Sequence, residues 1–463
     1  MVERPNSAAA LDIASHLHPY TNARKHESVG PMVVTEGKGI YVTDDQGREY
    51  IDGLAGLWYA ALGFSEERLV QAATEQLRKL PCYHSFSHKT PMPTIELAAK
   101  LLEIAPVPMS KVFFANSGSE ANDTVIKMVW YYNNALGRPG KKKIISRIKA
   151  YHGVTVATAS LTGLPYNHRD FDLPVERILH ATCPHYYRFG QDGETEEDFA
   201  TRCAAELEQL ILDEGPETIA AFIGEPIMGA GGVIVPPRTY WEKIQQVLGK
   251  YDVLLVADEV ICGFGRTGNM FGCQTFNIKP DIMTMAKALS SGYQPISAVM
   301  ISDQVYQVIA DNTAKIGTFG HGFTYSGHPV AAAVALETLK IYEERDIVGQ
   351  VRRVGPRLQE GLRRYADHPL VGEVRGVGLI AGVELVADRA SKAPFDPAGK
   401  VGAYFAGRAE AHGLIIRNLM DTIGVCPPLI ITEDQIDALL ERFGKAMDDT
   451  AVWVEQEGLS AAA

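Results

Sequence analysis

Three places in the chain set a reactive or charged side chain at the end of an apolar run. In DIMTMAKALSSG, Lys287 follows Ile282, Met283 and Met285 and sits between Ala286 and Ala288. An ammonium there cannot easily snorkel to solvent, and desolvation lowers a lysine pKa, each unit being worth about 1.4 kcal/mol. A neutral amine is the form that carbonyl chemistry needs. In VLLVADEV, Asp258 and Glu259 close an apolar run. Burying a carboxylate unpaired is costly, so Asp258 is expected to face a cationic ligand atom, unless one of the two acids caps a helix or makes an ion pair. KVFFAN is followed by Ser117-Gly118-Ser119-Glu120 and a helical pattern. Free N–H groups and a positive helix end at such a loop attract an oxyanion. Taken alone, Ser-Gly-Ser is more readily a plain helix cap, and Glu120 and Asp123 would repel a phosphate. It is not a Walker A loop, because no Gly-Lys-Ser/Thr follows.

Together the three features are more specific than any one. A desolvated amine, a buried acid and an oxyanion cradle match the aldehyde, ring nitrogen and phosphate of pyridoxal 5′-phosphate. On this reading Asp258 keeps the ring nitrogen charged, while Lys287 condenses with the aldehyde and then shuttles a proton at the substrate Cα. Tyr151, in Tyr151-His152-Gly153, offers an aromatic face for ring stacking, and Val260 presses on the opposite face.

The elements that must position these groups follow from hydrophobic patterning. From about residue 111, short apolar runs (KVFFAN, KIISRI, TIAAFIGEP, VLLVADEV, DIMTMAK) alternate with helical segments. That alternation predicts a parallel sheet with helices on both faces. The expected class is α/β: a large domain with a mostly parallel sheet covered by helices (71–329), plus a smaller α+β domain. The smaller one is assembled from an N-terminal segment (1–70) and the C-terminal third (330–463). Residues 31–53 predict a β-meander with turns at Glu36-Gly37 and Asp45-Gln46-Gly47. Helices are expected over 66–80, from an N-cap at Thr94 to Ala105, and from Thr432 onward. The run Lys141-Lys142-Lys143 is expected to be a solvated edge before a strand.

With these residues in place, the chain resembles class III aminotransferases of the fold-type I pyridoxal-phosphate superfamily, particularly the ω-amine:pyruvate group. The matching motifs are NSGSEANDT (116–124), YHG (151–153), GEPIMGAGG (224–232), VADEVICGFGRTG (256–268), AKALSSGY (286–293) and HGFTYSGHP (321–329). The resemblance implies that Lys287 is the Schiff-base lysine and Asp258 the pyridinium partner. It implies that Gly118 and Ser119 bind the phosphate, that Tyr151 stacks on the ring, and that Glu225 lies near the cofactor. Thr324 would reach the phosphate of a neighbouring subunit, so the expected assembly is a homodimer or dimer of dimers with shared active sites. Arg417 in GLIIRN matches a mobile arginine that takes the keto-acid carboxylate, its guanidinium fork pairing bidentately. Arg375 in VRGVG is its rival and is expected to be structural. Tyr20, Trp58, Tyr59 and Phe86 would wall the substrate pocket, with Ala230 small where it narrows. The activity implied is transfer of an amino group from a primary amine or ω-amino acid to pyruvate. The alternatives are 2-oxoglutarate as acceptor, an aminomutase or decarboxylase on the same scaffold, or a non-enzymatic phosphate-ligand module.

Composition limits the partners. Of 463 residues, 46% are hydrophobic and 22% charged, ordinary for a globular chain. With 44 basic and 56 acidic residues the net charge is −12, which repels phosphate backbones, so no nucleic-acid partner is expected. The six cysteines (82, 183, 203, 262, 273, 426) contain no Cys-x-x-Cys spacing and suggest a reducing compartment. No apolar h-region opens the chain and no apolar run reaches the ~18 residues of a membrane span. A cytoplasmic protein is expected. The histidines at 84, 88, 168, 180 and 185 are scattered, with only the weak His84/His88 spacing, so no metal is expected. No Gly-x-Ser-x-Gly elbow is present.

Overall fold

The structure is a computed structural model that describes residues 7–459; the alanine run at 461–463 lies outside the described residues. Its centre is a seven-stranded sheet. In spatial order the strands are Lys111–Ala115, Ser297–Ile301, Ile282–Met285, Leu254–Asp258, Ile219–Gly224, Lys143–Arg147 and Ile178–Ala181. Only Ser297–Ile301 runs antiparallel to its neighbours; the other pairings are parallel.

The strands read as continuous apolar runs because both faces are buried. Ile144, Ile223, Val256, Ile282 and Val299 point into one core with the helix Gly118–Ala135. Their neighbours Ile145, Phe222, Leu255, Met283 and Ala298 point into the other, larger core. Side chains alternate between faces with a period of two, so one sheet organises both layers.

Two smaller sheets complete the fold. Strands Val34–Lys38, Tyr41–Asp44 and Glu49–Asp52 form the expected meander, and Leu414–Ile415 adds to its edge in parallel. The last sheet is Val371–Val377, Ile380–Leu385, Thr422–Val425 and Arg417–Leu419. The final helix, Glu433–Gln456, starts at Thr432 with the hydroxyl accepting from Gln435 N.

Three local expectations are corrected. Glu36-Gly37 lies within the first strand; the chain turns at Gly39, whose φ of 57° suits a residue without Cβ. The second helix is Met92–Glu103, capped by Pro91, so Thr94 is inside it and donates its hydroxyl to Gly327 O at 2.7 Å. The lysine run is not a solvated edge. Lys141 is buried, Lys142 Nζ donates to Trp130 O and Asn134 Oδ1, and Lys143 pairs with Glu214 at 2.6 Å. The aliphatic stems pack while each ammonium finds an acceptor, which a charge count cannot foresee.

Candidate active site

The carboxyl ends of the parallel strands meet at one cavity, the place where open α/β sheets bind ligands. Asp258 ends its strand, Glu225 follows Gly224, and Lys287 comes two residues after Met285. Ser117-Gly118-Ser119 connects Lys111–Ala115 to the next helix. All of Gly118, Ser119, Tyr151, Glu225, Ala230, Asp258, Val260 and Lys287 line this cavity, and so do Tyr20, Trp58 and Arg417.

Asp258 is buried yet held as an anion. Burial pushes its carboxyl up, but three donors outweigh this and the net shift is below the usual carboxylate range. His152 Nδ1 lies 2.7 Å from Oδ2, Asn122 Nδ2 donates to Oδ2 at 2.8 Å, and Val260 N donates to Oδ1 at 3.1 Å. The adjacent Glu259 has the opposite fate. It accepts from Gly272 N and Cys273 N, capping the helix Gly272–Phe276, and burial lifts its carboxyl to about 7. Of the Asp-Glu pair, Glu259 is the helix cap, while Asp258 lines the cavity.

Burial pushes the Lys287 ammonium down to about 8, against the raising fields of Asp258 and Glu225. Its backbone is left-handed, φ 49°, at the head of the 3-10 turn Lys287–Leu289. A lysine gains nothing locally from that conformation, so the surrounding structure imposes it. Glu225 accepts from Tyr151 N at 3.0 Å and Gly229 N at 2.9 Å, and burial raises its carboxyl.

The loop before the helix Gly118–Ala135 has the features of an oxyanion cradle. Ser117 Oγ accepts from Glu120 N and Ser117 O from Ala121 N. That leaves the N–H groups of Gly118 and Ser119 without a partner among the described residues. A Cβ on Gly118 would stand 3.2 Å from Val260 Cγ1, and one on Gly153 only 2.6 Å from Ser119 Oγ. Side chains at either position would fill the cradle.

The opposite end is walled by groups from elsewhere in the chain. Trp58 is buried at the end of the kinked turn Ala55–Trp58, and Tyr20 accepts from Asn167 Nδ2 at 2.6 Å. Arg417 reaches the cavity from the edge strand of the C-terminal sheet, with no ion-pair partner among the described residues. Arg375 is buried against Glu373 and Glu384, both at 2.6 Å, and Gly232 O, a structural arginine as expected. Phe86 and Thr324 are exposed, Tyr59 is half-buried, and none of the three lines this cavity. Seven lining residues were given no site role from the sequence: Leu57, Asn122, His152, Gly153, Tyr166, Ile261 and Ala286. Asn122 and His152 sit inside quoted motifs, so their signal was present. Tyr166 lies in the short turn Pro165–Asn167, where no periodicity marks it.

Comparison with known proteins decides the family. The family model described as Aminotransferase class-III matches residues 21–447. A chloroplastic gamma aminobutyrate transaminase 3 of Solanum lycopersicum is 54% identical over 97% of this chain and 88% of its own. The omega transaminase of Pseudomonas jessenii in complex with PMP has a TM-score of 0.96 and 63% identity, covering 97% of this chain and 99% of that one. A thermostable omega transaminase variant, W58M/F86L/R417L, engineered for asymmetric synthesis of enantiopure bulky amines, is 62% identical with a TM-score of 0.96, over 97% and 100% of the chains.

The chain belongs to the class III aminotransferases. It has their fold-type I architecture and uses pyridoxal 5′-phosphate. The cavity fits that cofactor: an N–H cradle kept open by glycine, an anion held below its ordinary range, and an amine brought down by burial to about 8. Among the described residues no helix is long and apolar enough to cross a membrane.

Proposed function

We propose that this aminotransferase moves an amino group from a primary amine or ω-amino acid to pyruvate, releasing alanine and an aldehyde or ketone. The observation that carries the acceptor half is Arg417: a guanidinium in the cavity wall, unpaired among the described residues. A planar cation placed there fits a small keto-acid carboxylate through two parallel hydrogen bonds. The same end is otherwise lined by Tyr20, Leu57, Trp58 and Tyr166, which suit the apolar body of an amine once Arg417 swings aside.

Bound pyridoxal 5′-phosphate supplies an electron sink that makes the substrate Cα–H acidic. The protein's own residues do the rest. Lys287 Nζ would hold the cofactor until the incoming substrate amine displaces it, and the freed amine would then carry the substrate Cα proton; an amine near pKa 8 suits both taking and giving a proton. The Asp258 carboxylate keeps a proton on the ring nitrogen, and His152 and Asn122 hold it aimed at that point. Gly118 and Ser119 bind the phosphate. Tyr151 and Val260 clamp the ring faces and exclude water, and Glu225 fixes the Tyr151 backbone.

Phe86 and Thr324 complete the site only in a homodimer or dimer of dimers. Both are exposed here, and Phe86 lines a separate groove with Gly320 and Gly322. Thr324 of the partner subunit would then contact the phosphate and Phe86 the substrate pocket. The engineered omega transaminase supports this set, since its three substituted residues have the same types and numbers as Trp58, Phe86 and Arg417 here. The six unpaired thiols fit a reducing, cytoplasmic setting.

The test is a donor screen of the purified holoenzyme against pyruvate and 2-oxoglutarate. Turnover of simple amines or 4-aminobutyrate that requires pyruvate is the expected result. Turnover only with 2-oxoglutarate, or without any keto acid, overturns the assignment.

A further inference from the structure

Away from the active-site cavity, one carboxylate gathers three imidazoles. Asp12 Oδ1 lies 3.2 Å from His16 Nδ1, and Oδ2 lies 2.8 Å from His18 Nε2 and 2.9 Å from His26 Nε2. Asp12 is on the helix Ala8–Ser15, His16 caps its end, and His26 is on the helix Ala23–Val29. The His16 and His18 rings, and the His18 and His26 rings, have centroids 4.2 Å apart.

This donor set is the one a borderline divalent cation selects: imidazole nitrogens plus one carboxylate oxygen. Ligand atoms about 2.0–2.1 Å from a tetrahedral zinc ion stand about 3.3 Å from one another. In this structure the same contacts are hydrogen bonds divided between Oδ1 and Oδ2, and their N···O separations of 2.8–3.2 Å are a few tenths of an ångström shorter. Ligand atoms of Asp12, His16 and His18 all lie within 4.8 Å of one another; His26 stands outside that trio and reaches it through Asp12 Oδ2 at 2.9 Å. The side chains of Asp12 and His26 are 21% and 12% exposed, whereas His16 at 59% leaves a path from solvent. The earlier expectation of no metal rested on His84, His88 and the later histidines and took no account of this N-terminal group.

We propose that Asp12, His16 and His18 bind a divalent transition-metal ion, zinc by preference, which draws in the neighbouring His26 as fourth ligand and so clasps the N-terminal segment carrying Tyr20. Residues 16–22 join the two short helices, and Tyr20 projects from that link into the active-site cavity. An ion bound to both helices ties the link at its two ends. It thereby fixes Tyr20 and its hydrogen bond from Asn167, the outer wall of the substrate end. Ion binding to the folded segment alone also stabilises it by mass action.

The holoenzyme, freed of metal with a chelator and dialysed, tests this with zinc chloride in a calorimeter. Wild type, Asp12→Asn and His16→Ala are compared, the last removing only a largely exposed ring. One ion per chain with a Kd of about 1 µM or tighter is expected, weakened about tenfold or more in each variant. Co²⁺ in the wild type should give the intense visible bands of a four-coordinate site, absent from Asp12→Asn, and Zn²⁺ should slow amide exchange over residues 12–26. Unchanged affinity in both variants, or no binding at about a hundred times that concentration, overturns the proposal. So do weak, six-coordinate Co²⁺ bands. Since binding is read directly, failure here leaves the aminotransferase assignment untouched.

Discussion

The two ends of the active-site cavity are built by different means. At the Lys287 end the polar groups hang from the end of one sheet and the two cavity carboxyls are tied in place: Asp258 by three donors, Glu225 by two backbone N–H groups. At the Arg417 end the walls come from three separate segments, and the charged group has no partner among the described residues. The two arginines show the same contrast. Arg375 is locked by two glutamates and a carbonyl, while Arg417, on the opposite edge strand of the same C-terminal sheet, has no ion-pair partner among the described residues. A sheet terminus gives fixed geometry for chemistry, and loops from distant segments give an adjustable wall for choosing substrates.

Substitutions at the fixed end should cost the most, and independently of substrate. Lys287→Ala is expected to lower kcat by about 10³-fold or more with every donor, with the fold retained by circular dichroism. Comparable turnover would remove the lysine from the chemistry. Asp258→Asn, which keeps the shape but not the charge, should lower kcat by about 10²-fold for amine and keto acid alike, measured by half-reaction kinetics. A loss confined to one substrate would place Asp258 at the other end of the cavity.

Arg417→Ala should sharpen the contrast from the adjustable end. Loss of a charge-assisted pair is expected to lower kcat/KM for pyruvate about 10- to 100-fold while simple amines change little. Equal losses for both would make Arg417 a structural group like Arg375.

The smallest effect separates the neighbouring acids. Burial raises the Glu259 carboxyl from the usual carboxylate range to about 7. Between those values the folded chain keeps a proton that the unfolded chain releases, so this contribution is present at low pH and lost as pH rises through 7. In urea unfolding from about pH 5 to 8, wild type should lose about 1–3 kcal/mol relative to Glu259→Gln. Parallel profiles would contradict that reading of Glu259.

The sheet was legible because strands buried on both faces are continuous apolar runs, and the fixed end of the site because Lys287 and Asp258 stand where such runs stop. The adjustable end was less so. Tyr166 joins Tyr20 only through tertiary folding, and nothing local marks a residue of the turn Pro165–Asn167. His152 was visible in its motif, but its contact with Asp258 spans 106 residues, a pairing no local pattern encodes. The lysine run failed for a related reason: its acceptors Trp130 O and Glu214 belong to other elements.

The central claim is that the amine at position 287 is the group that holds the cofactor. Borohydride reduction of the holoenzyme, followed by digestion and mass spectrometry, tests it directly. The expected result is a single pyridoxyl-phosphate mass addition on the peptide containing Lys287. The same addition on a peptide carrying a different lysine, or none on any peptide, would contradict it.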